Sequence, residues 1–276
     1  MDNTKDNNKN FPSNALAIET IIDITKHPIS DANYNHQLRQ RLHQNGVITL
    51  PSFLLRNTHA QLLQEAKEQK HKAYYTKSTH SVYLSPIDTS LPMDHAHNRQ
   101  VISSKGCITT DQIPSASLLK SIYYNTQFQQ FCATVVGVDK LYPYADPLSE
   151  INVHYYNEGQ ELGWHFDNSS FAITLLLQKP IDGGQFEYIP QLRDSKNNNN
   201  GYDEVAKVLD EERRGGMLPI DPSMLVIFRG RDCLHRVTPV VGDRTRILVV
   251  FAYNDQPGVC LSEEARMTFF GRTGVE

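Results

Sequence analysis

The chain lacks the marks of several large protein classes. No apolar run approaches the roughly 20 residues needed to cross a bilayer. The opening segment, MDNTKDNNKNF, is polar and holds no apolar stretch of the kind a secretory leader needs. Only four cysteines occur, Cys107, Cys132, Cys233 and Cys260, far apart and without a CxxC pair. That spacing argues against a zinc ribbon and against a disulfide-stapled secreted module. A dominant charge is missing too: 27 Lys and Arg against 31 Asp and Glu give a net charge of −4. A phosphate-seeking surface would be basic, so nucleic acid is not an expected partner. These absences leave the expectation of a soluble, cytoplasmic protein in a reducing compartment, with no membrane partner. At 276 residues and 39% hydrophobic content, the chain can bury a sizeable core.

Residues 1–14, rich in Asn, Asp and Lys, predict a loose tail. The remainder, 15–276, shows no linker and no internal repeat, and reads as one domain. Its first half, about 15–145, is helical and mixed. Leu38 and Leu42 sit one helical turn apart before Gly46, which predicts a short helix over 31–45. Val47–Leu50 predicts a strand that Pro51 stops. Thr58 with Gln61 has the capping-box pattern, and predicts a helix from there to about His71. The 73–110 segment has weak periodicity and predicts strands and long loops. Residues 115–136 predict one or two helices, with Leu118, Leu119, Ile122, Tyr123, Phe128, Phe131 and Val135 inward and Gly137 at the end.

The character changes near Pro147. Ile151–Tyr156, Phe171–Gln178, Gln185–Ile189, Met224–Phe228 and Arg246–Tyr253 are short, β-branched and aromatic, with turn residues between them. That pattern predicts a β sandwich or barrel over about 146–258. A small helix over Tyr202–Leu209 and an Asn-rich loop tip at 197–200 interrupt it.

Within this half, His165 and Asp167 are two residues apart. On an extended segment they point to the same side and can share one metal ion. HxD alone is common by chance, and a lone His after a strand is usually packing. His235, after the 224–228 strand and the polar turn Arg229-Gly230-Arg231-Asp232, supplies a third ligand type. Two His and one carboxylate on one face of an ion make the facial triad of non-haem Fe(II) oxygenases, which leaves positions open. Arg244 and Arg246 follow at the start of the last strong strand. A guanidinium inside a barrel is costly unless it grips a carboxylate. Tyr156, ending a strand shortly before His165, can reach the same ligand, whereas Tyr155 reads as core.

These residues carry a resemblance. Residues 146–258, including EINVHYYNEGQELGWHFDNSSFAITLLLQ, GGQFEYIP and MLVIFRGRDCLHRVTPVVGDRTRILVVFAYN, resemble the Fe(II)/2-oxoglutarate-dependent dioxygenases. The closer likeness is to the radical halogenases of free amino acids and their hydroxylase relatives. Prolyl hydroxylases are more distant. The resemblance implies an α+β, mainly β fold, a double-stranded β-helix (jelly-roll, cupin-like) core with flanking helices. It implies Fe(II), 2-oxoglutarate and O₂ as cofactors, with His165, Asp167 and His235 on the iron. For 2-oxoglutarate it implies Arg246 by the spacing of the halogenase group, or Arg244 by prolyl-hydroxylase spacing, with Tyr156 as a second anchor.

In the halogenases a small residue replaces the HxD carboxylate and opens a place for chloride. Asp167 is present here, so the expected reaction is hydroxylation. The implied substrate is a free amino acid, a basic one such as lysine among them. The alternatives are a protein or peptide side chain, or a cupin-like binding protein without enzymatic activity. Candidate substrate contacts are Glu150 for an amine, Arg99 and Arg272 for a carboxylate, and Asn168 and Trp164 beside the triad. Asp94, His95 and His97 read as polar-loop residues and not as a second metal site. Cys233 stands near enough to the triad to be open to oxidation.

Overall fold

The computed structural model describes residues 16–275. The tail expected over 1–14 lies outside the described residues. Four helices come from the first half: α1 (Ala32–Asn45), α2 (Arg56–Gln69), α3 (Leu118–Tyr123) and α4 (Thr126–Val136). Asp31 caps α1 by accepting from the Tyr34 amide, and Gly46 ends it at φ +73°, a left-handed conformation that glycine adopts without a Cβ penalty. The 115–136 segment forms two helices because Asn125 breaks it and caps α4, accepting from the Phe128 amide. One expectation fails. Helix α2 starts at Arg56 after Leu55, with no side-chain cap, so Thr58 lies buried inside the first turn and no Thr58–Gln61 box forms.

Eleven strands make the main sheet: β1 (Val47–Leu50), β2 (Tyr74–Ser81), β3 (Gln100–Ile108), β4 (Ile151–Tyr156), β5 (Leu162–His165), β6 (Ala172–Gln178), β7 (Phe186–Ile189), β8 (Gly216–Leu218), β9 (Leu225–Phe228), β10 (Leu234–Val237) and β11 (Arg246–Phe251). The order is β1-β9-β6-β11-β4-β3-β5-β10-β7-β8, with β2 paired to β3, and the pairs are antiparallel. Strand β3 carries the sheet from one half to the other: Gly106–Ile108 pair with β4, whereas Ser103 pairs with Leu162 of β5. The result is the curled jelly-roll that the resemblance implied. Helix α5 (Tyr202–Leu209) interrupts it at the expected residues, and α6 (Glu263–Phe270) follows it.

The two faces of β4 and β11 divide the labour. Ile151, Val153, Tyr155, Ile247, Val249 and Phe251 enter one apolar cluster with residues of α1–α4. Their alternates His154, Tyr156, Arg246, Leu248 and Val250 line a cavity between the two halves of the sheet. The period-two pleat enforces this split. Since both faces are covered, the strands read as near-continuous apolar runs and not as alternations.

Phe128 ties the helices to this sheet. It is fully buried, with ring centroids 6.0 Å from Phe53 and 5.7 Å from Phe251. Phe128→Ala should cost about 3–5 kcal/mol of stability, read from urea unfolding. A loss below about 1 kcal/mol would show that this contact does not anchor the helical layer.

Candidate metal centre

Strand β5 ends at His165, and the chain runs on in extended form to Asp167, whose amide donates to the Gly230 carbonyl at 3.0 Å. His235 sits in β10, directly opposite His165 in the register. The pairing of two strands therefore sets two imidazoles side by side, with ring centroids 4.1 Å apart. Asp167 Oδ1 lies 3.4 Å from His165 Nε2 and 3.6 Å from His235 Nε2. One ligand atom from each of these three residues falls within 4.8 Å of the others, and no other such group occurs among the described residues.

The opposite side of each ring fixes its proton. His165 Nδ1 donates to the Gly163 carbonyl at 2.8 Å, and His235 Nδ1 donates to the Cys233 carbonyl at 2.9 Å. A carbonyl can only accept, so in the neutral ring the proton sits on Nδ1 and the Nε2 lone pair faces the cluster. Burial, reinforced by the neighbouring His235, lowers the His165 pKa to about 4. For Asp167, burial pulls upward, but positive charge or an N–H from His235 and His165 on the cluster side outweighs it and holds the carboxyl far below its ordinary range, so the carboxylate is poised beside a cation. His165 thus offers a neutral nitrogen and Asp167 a carboxylate at neutral pH, a donor set that fits a divalent transition metal.

The cluster opens into the cavity, which has a volume of about 260 Å³. Arg246 and Tyr156 line it. Arg246 is 2% exposed, its Nη1 has no hydrogen-bond partner among the described residues, and its guanidinium lies over the Tyr156 ring at 5.3 Å from the centroid. Arg244 does not line this cavity; its Nη2 donates to the Pro180 carbonyl at 2.6 Å.

The five candidate substrate contacts lie elsewhere. Arg99 pairs with Asp210, and Arg272 holds Asp111 and Thr109. Glu150 is buried and accepts from the Tyr124 hydroxyl. The Asn168 carbonyl accepts from Arg231, which is turn chemistry. Trp164, adjacent to His165 on a strand, must face the other way, and there Arg236 covers its ring. His97 stacks on Tyr83, and His95 meets Tyr202 edge-on, so both are packing residues. Burial pushes the Cys233 thiol up to about 12, so it presents little thiolate to an oxidant.

The strands expected over 73–110 form as β2 and β3, but no residue of theirs was singled out for the cavity wall they build. Thr76, Ser78, His80, Ser103 and Lys105 face the cavity from these strands. Lys105 Nζ lies 3.3 Å from Nε2 of His154, and burial lowers the pKa of both groups. The signal was a strand with polar residues at every second position, T76-K-S78-T-H80, which carries no apolar alternation to mark it.

Gly230 keeps the Asp167 carboxylate in place. A Cβ there would stand 1.8 Å from Asp167 Oδ2. Gly230→Ala should therefore weaken Co(II) binding at least tenfold, read by calorimetric titration, with the circular dichroism spectrum retained. Unchanged affinity would mean that Asp167 is not held against Gly230.

A comparison with curated proteins found no match. Several solved structures share the fold. The α-ketoglutarate-dependent carbocyclase SnoK from nogalamycin biosynthesis is 11% identical, with a TM-score of 0.58 and coverage of 87% of this chain and 92% of that one. A prolyl hydroxylase from Trichoplax adhaerens, solved with a hypoxia-inducible-factor peptide, is 14% identical, with a TM-score of 0.52 and coverage of 81% and 91%. A 2OG-Fe(II) oxygenase family oxidoreductase from Burkholderia pseudomallei is 13% identical, with a TM-score of 0.51 and coverage of 82% and 92%. The shared architecture is the jelly-roll of the 2-oxoglutarate–Fe(II) oxygenases. A family profile described as Halogenase D matches residues 30–265, most of the length of the chain, and the protein belongs to that family.

Proposed function

We propose that the protein is an Fe(II)- and 2-oxoglutarate-dependent oxygenase that hydroxylates an unactivated C–H of a free amino acid. The observation that carries this reading is the convergence of His165 Nε2, His235 Nε2 and the Asp167 carboxylate on one point of a cavity that also holds Arg246, whose Nη1 has no hydrogen-bond partner among the described residues. In this reading those three residues hold the iron. With 2-oxoglutarate and O₂, bound iron supplies the oxidant that turns C–H into C–OH, with succinate and CO₂ as the other products.

The chain's own contribution is binding and orientation. Arg246 faces the cavity with a free Nη1 and forks onto the distal carboxylate of 2-oxoglutarate, with Tyr156 beneath it. Arg244, spent on a backbone carbonyl, is not needed for this. The carbonyls of Gly163 and Cys233 keep both imidazoles aimed. Phe186 and Phe228 pack against His235 and keep water from it, with ring centroids at 5.6 and 4.9 Å.

Asp167 favours hydroxylation over halogenation. Its carboxylate occupies the third position of the cluster, the one a halide would need. The resemblance to amino-acid enzymes and the small, walled cavity support a free amino acid over a long peptide, which would need a groove.

Two measurements check this reading. Purified protein with Fe(II), 2-oxoglutarate and a panel of free amino acids should release succinate and add one oxygen to a panel member. Activity confined to peptides, or chlorination in its place, would contradict it. Arg246→Lys should raise KM for 2-oxoglutarate at least tenfold, whereas Arg244→Lys should change it less than threefold. The reverse order would move the co-substrate to Arg244.

A further inference from the structure

Lys105 is the cavity's unmatched charge. It reaches into the cavity from β3, opposite Thr76 in the hairpin register. Its polar partner is the His154 ring, and among the described residues no carboxylate pairs with it. Among the described residues, Asp167 is the one acidic residue that lines the cavity, and it belongs to the candidate metal cluster. In the proposed complex, iron(II) and Arg246 are balanced in charge by Asp167 and the two carboxylates of 2-oxoglutarate. The Lys105 ammonium is then left over in a partly desolvated wall. An ammonium in such a place calls for an anion.

We propose that Lys105 is the anchor for the substrate's carboxylate, and that the substrate is a small carboxylic acid, such as an amino acid, whose chain is uncharged. The inference rests on the oxygenase reading and assigns the cation that neither Arg99 nor Arg272 provides. The rest of the wall fits an uncharged chain. Leu84, Ile220, Leu248 and Phe269 supply apolar surface, and the hydroxyls of Thr76 and Ser78 can accept from an α-ammonium. No carboxylate of the wall is free to hold a second ammonium, so lysine should be a poor fit.

The test pairs each of a set of free amino acids and short carboxylic acids with its carboxamide. Succinate release by the wild-type enzyme should favour the acid at least tenfold in kcat/KM, with neutral chains ahead of lysine. Lys105→Met should erase the acid-over-amide preference through KM. The affinity for 2-oxoglutarate, read anaerobically from the visible charge-transfer band of the Fe(II) complex, should change less than threefold in that variant. That band is also the check that the variant is folded, and the wild-type acid–amide comparison needs no variant. An intact band with equal turnover of acid and amide, or with a preference for lysine, overturns the Lys105 assignment alone, whereas an intact band with no stimulation by any acid overturns it together with the free-amino-acid reading. A Lys105→Met variant that loses 2-oxoglutarate affinity and keeps the acid preference also overturns it. No band in the wild-type protein overturns the oxygenase reading and this assignment with it.

Discussion

Two backbone carbonyls decide what this site can be. By accepting from Nδ1 of His165 and His235, the carbonyls of Gly163 and Cys233 turn both Nε2 lone pairs toward one carboxylate. Lone pairs and a carboxylate packed within 3.6 Å repel one another unless a proton or a metal cation stands among them. Burial makes this need sharper, because little water reaches the rings to solvate them. With both Nδ1 protons committed to carbonyls, the cluster has the donor set and spacing that can hold a metal ion. The opposed register of His165 and His235 makes the arrangement a property of sheet pairing, which is stiffer than a loop.

The same pleat sorts the remaining chemistry. Along β11, odd-numbered residues enter the helix-packed core and even-numbered ones face the cavity. Arg246 comes first in the inward set, directly across from Tyr156. Arg244 precedes the strand and is free of that constraint, so it settles on the Pro180 carbonyl. A single periodicity thus separates two arginines that spacing alone left equivalent.

Much of this was legible in the sequence. The strand Ile151–Tyr156 and the helix Tyr202–Leu209 match the expected ranges, because β-branched runs and an amphipathic repeat mark them. His165, Asp167 and His235 were legible because HxD on extended chain and a His after a strand obey simple geometry. The start of α2 was not: the Thr58–Gln61 pattern marks a cap only where the chain turns, and tertiary packing began the helix earlier. The β2–β3 wall was hidden for a deeper reason. Where β2 and β3 put polar residues on the cavity face they show neither apolar alternation nor an apolar run, so nothing in the pattern singled out Lys105. Arg99, Arg272 and Glu150 do not line the cavity, since charge alone does not say which way a side chain turns.

In the proposed site three side chains hold one iron. Its most direct measurement is anaerobic titration of the metal-free protein with Fe(II), compared with His235→Ala. One equivalent should bind to the wild-type protein, with a loss of affinity of at least a hundredfold in the variant. Stoichiometric binding of undiminished affinity in His235→Ala would contradict it.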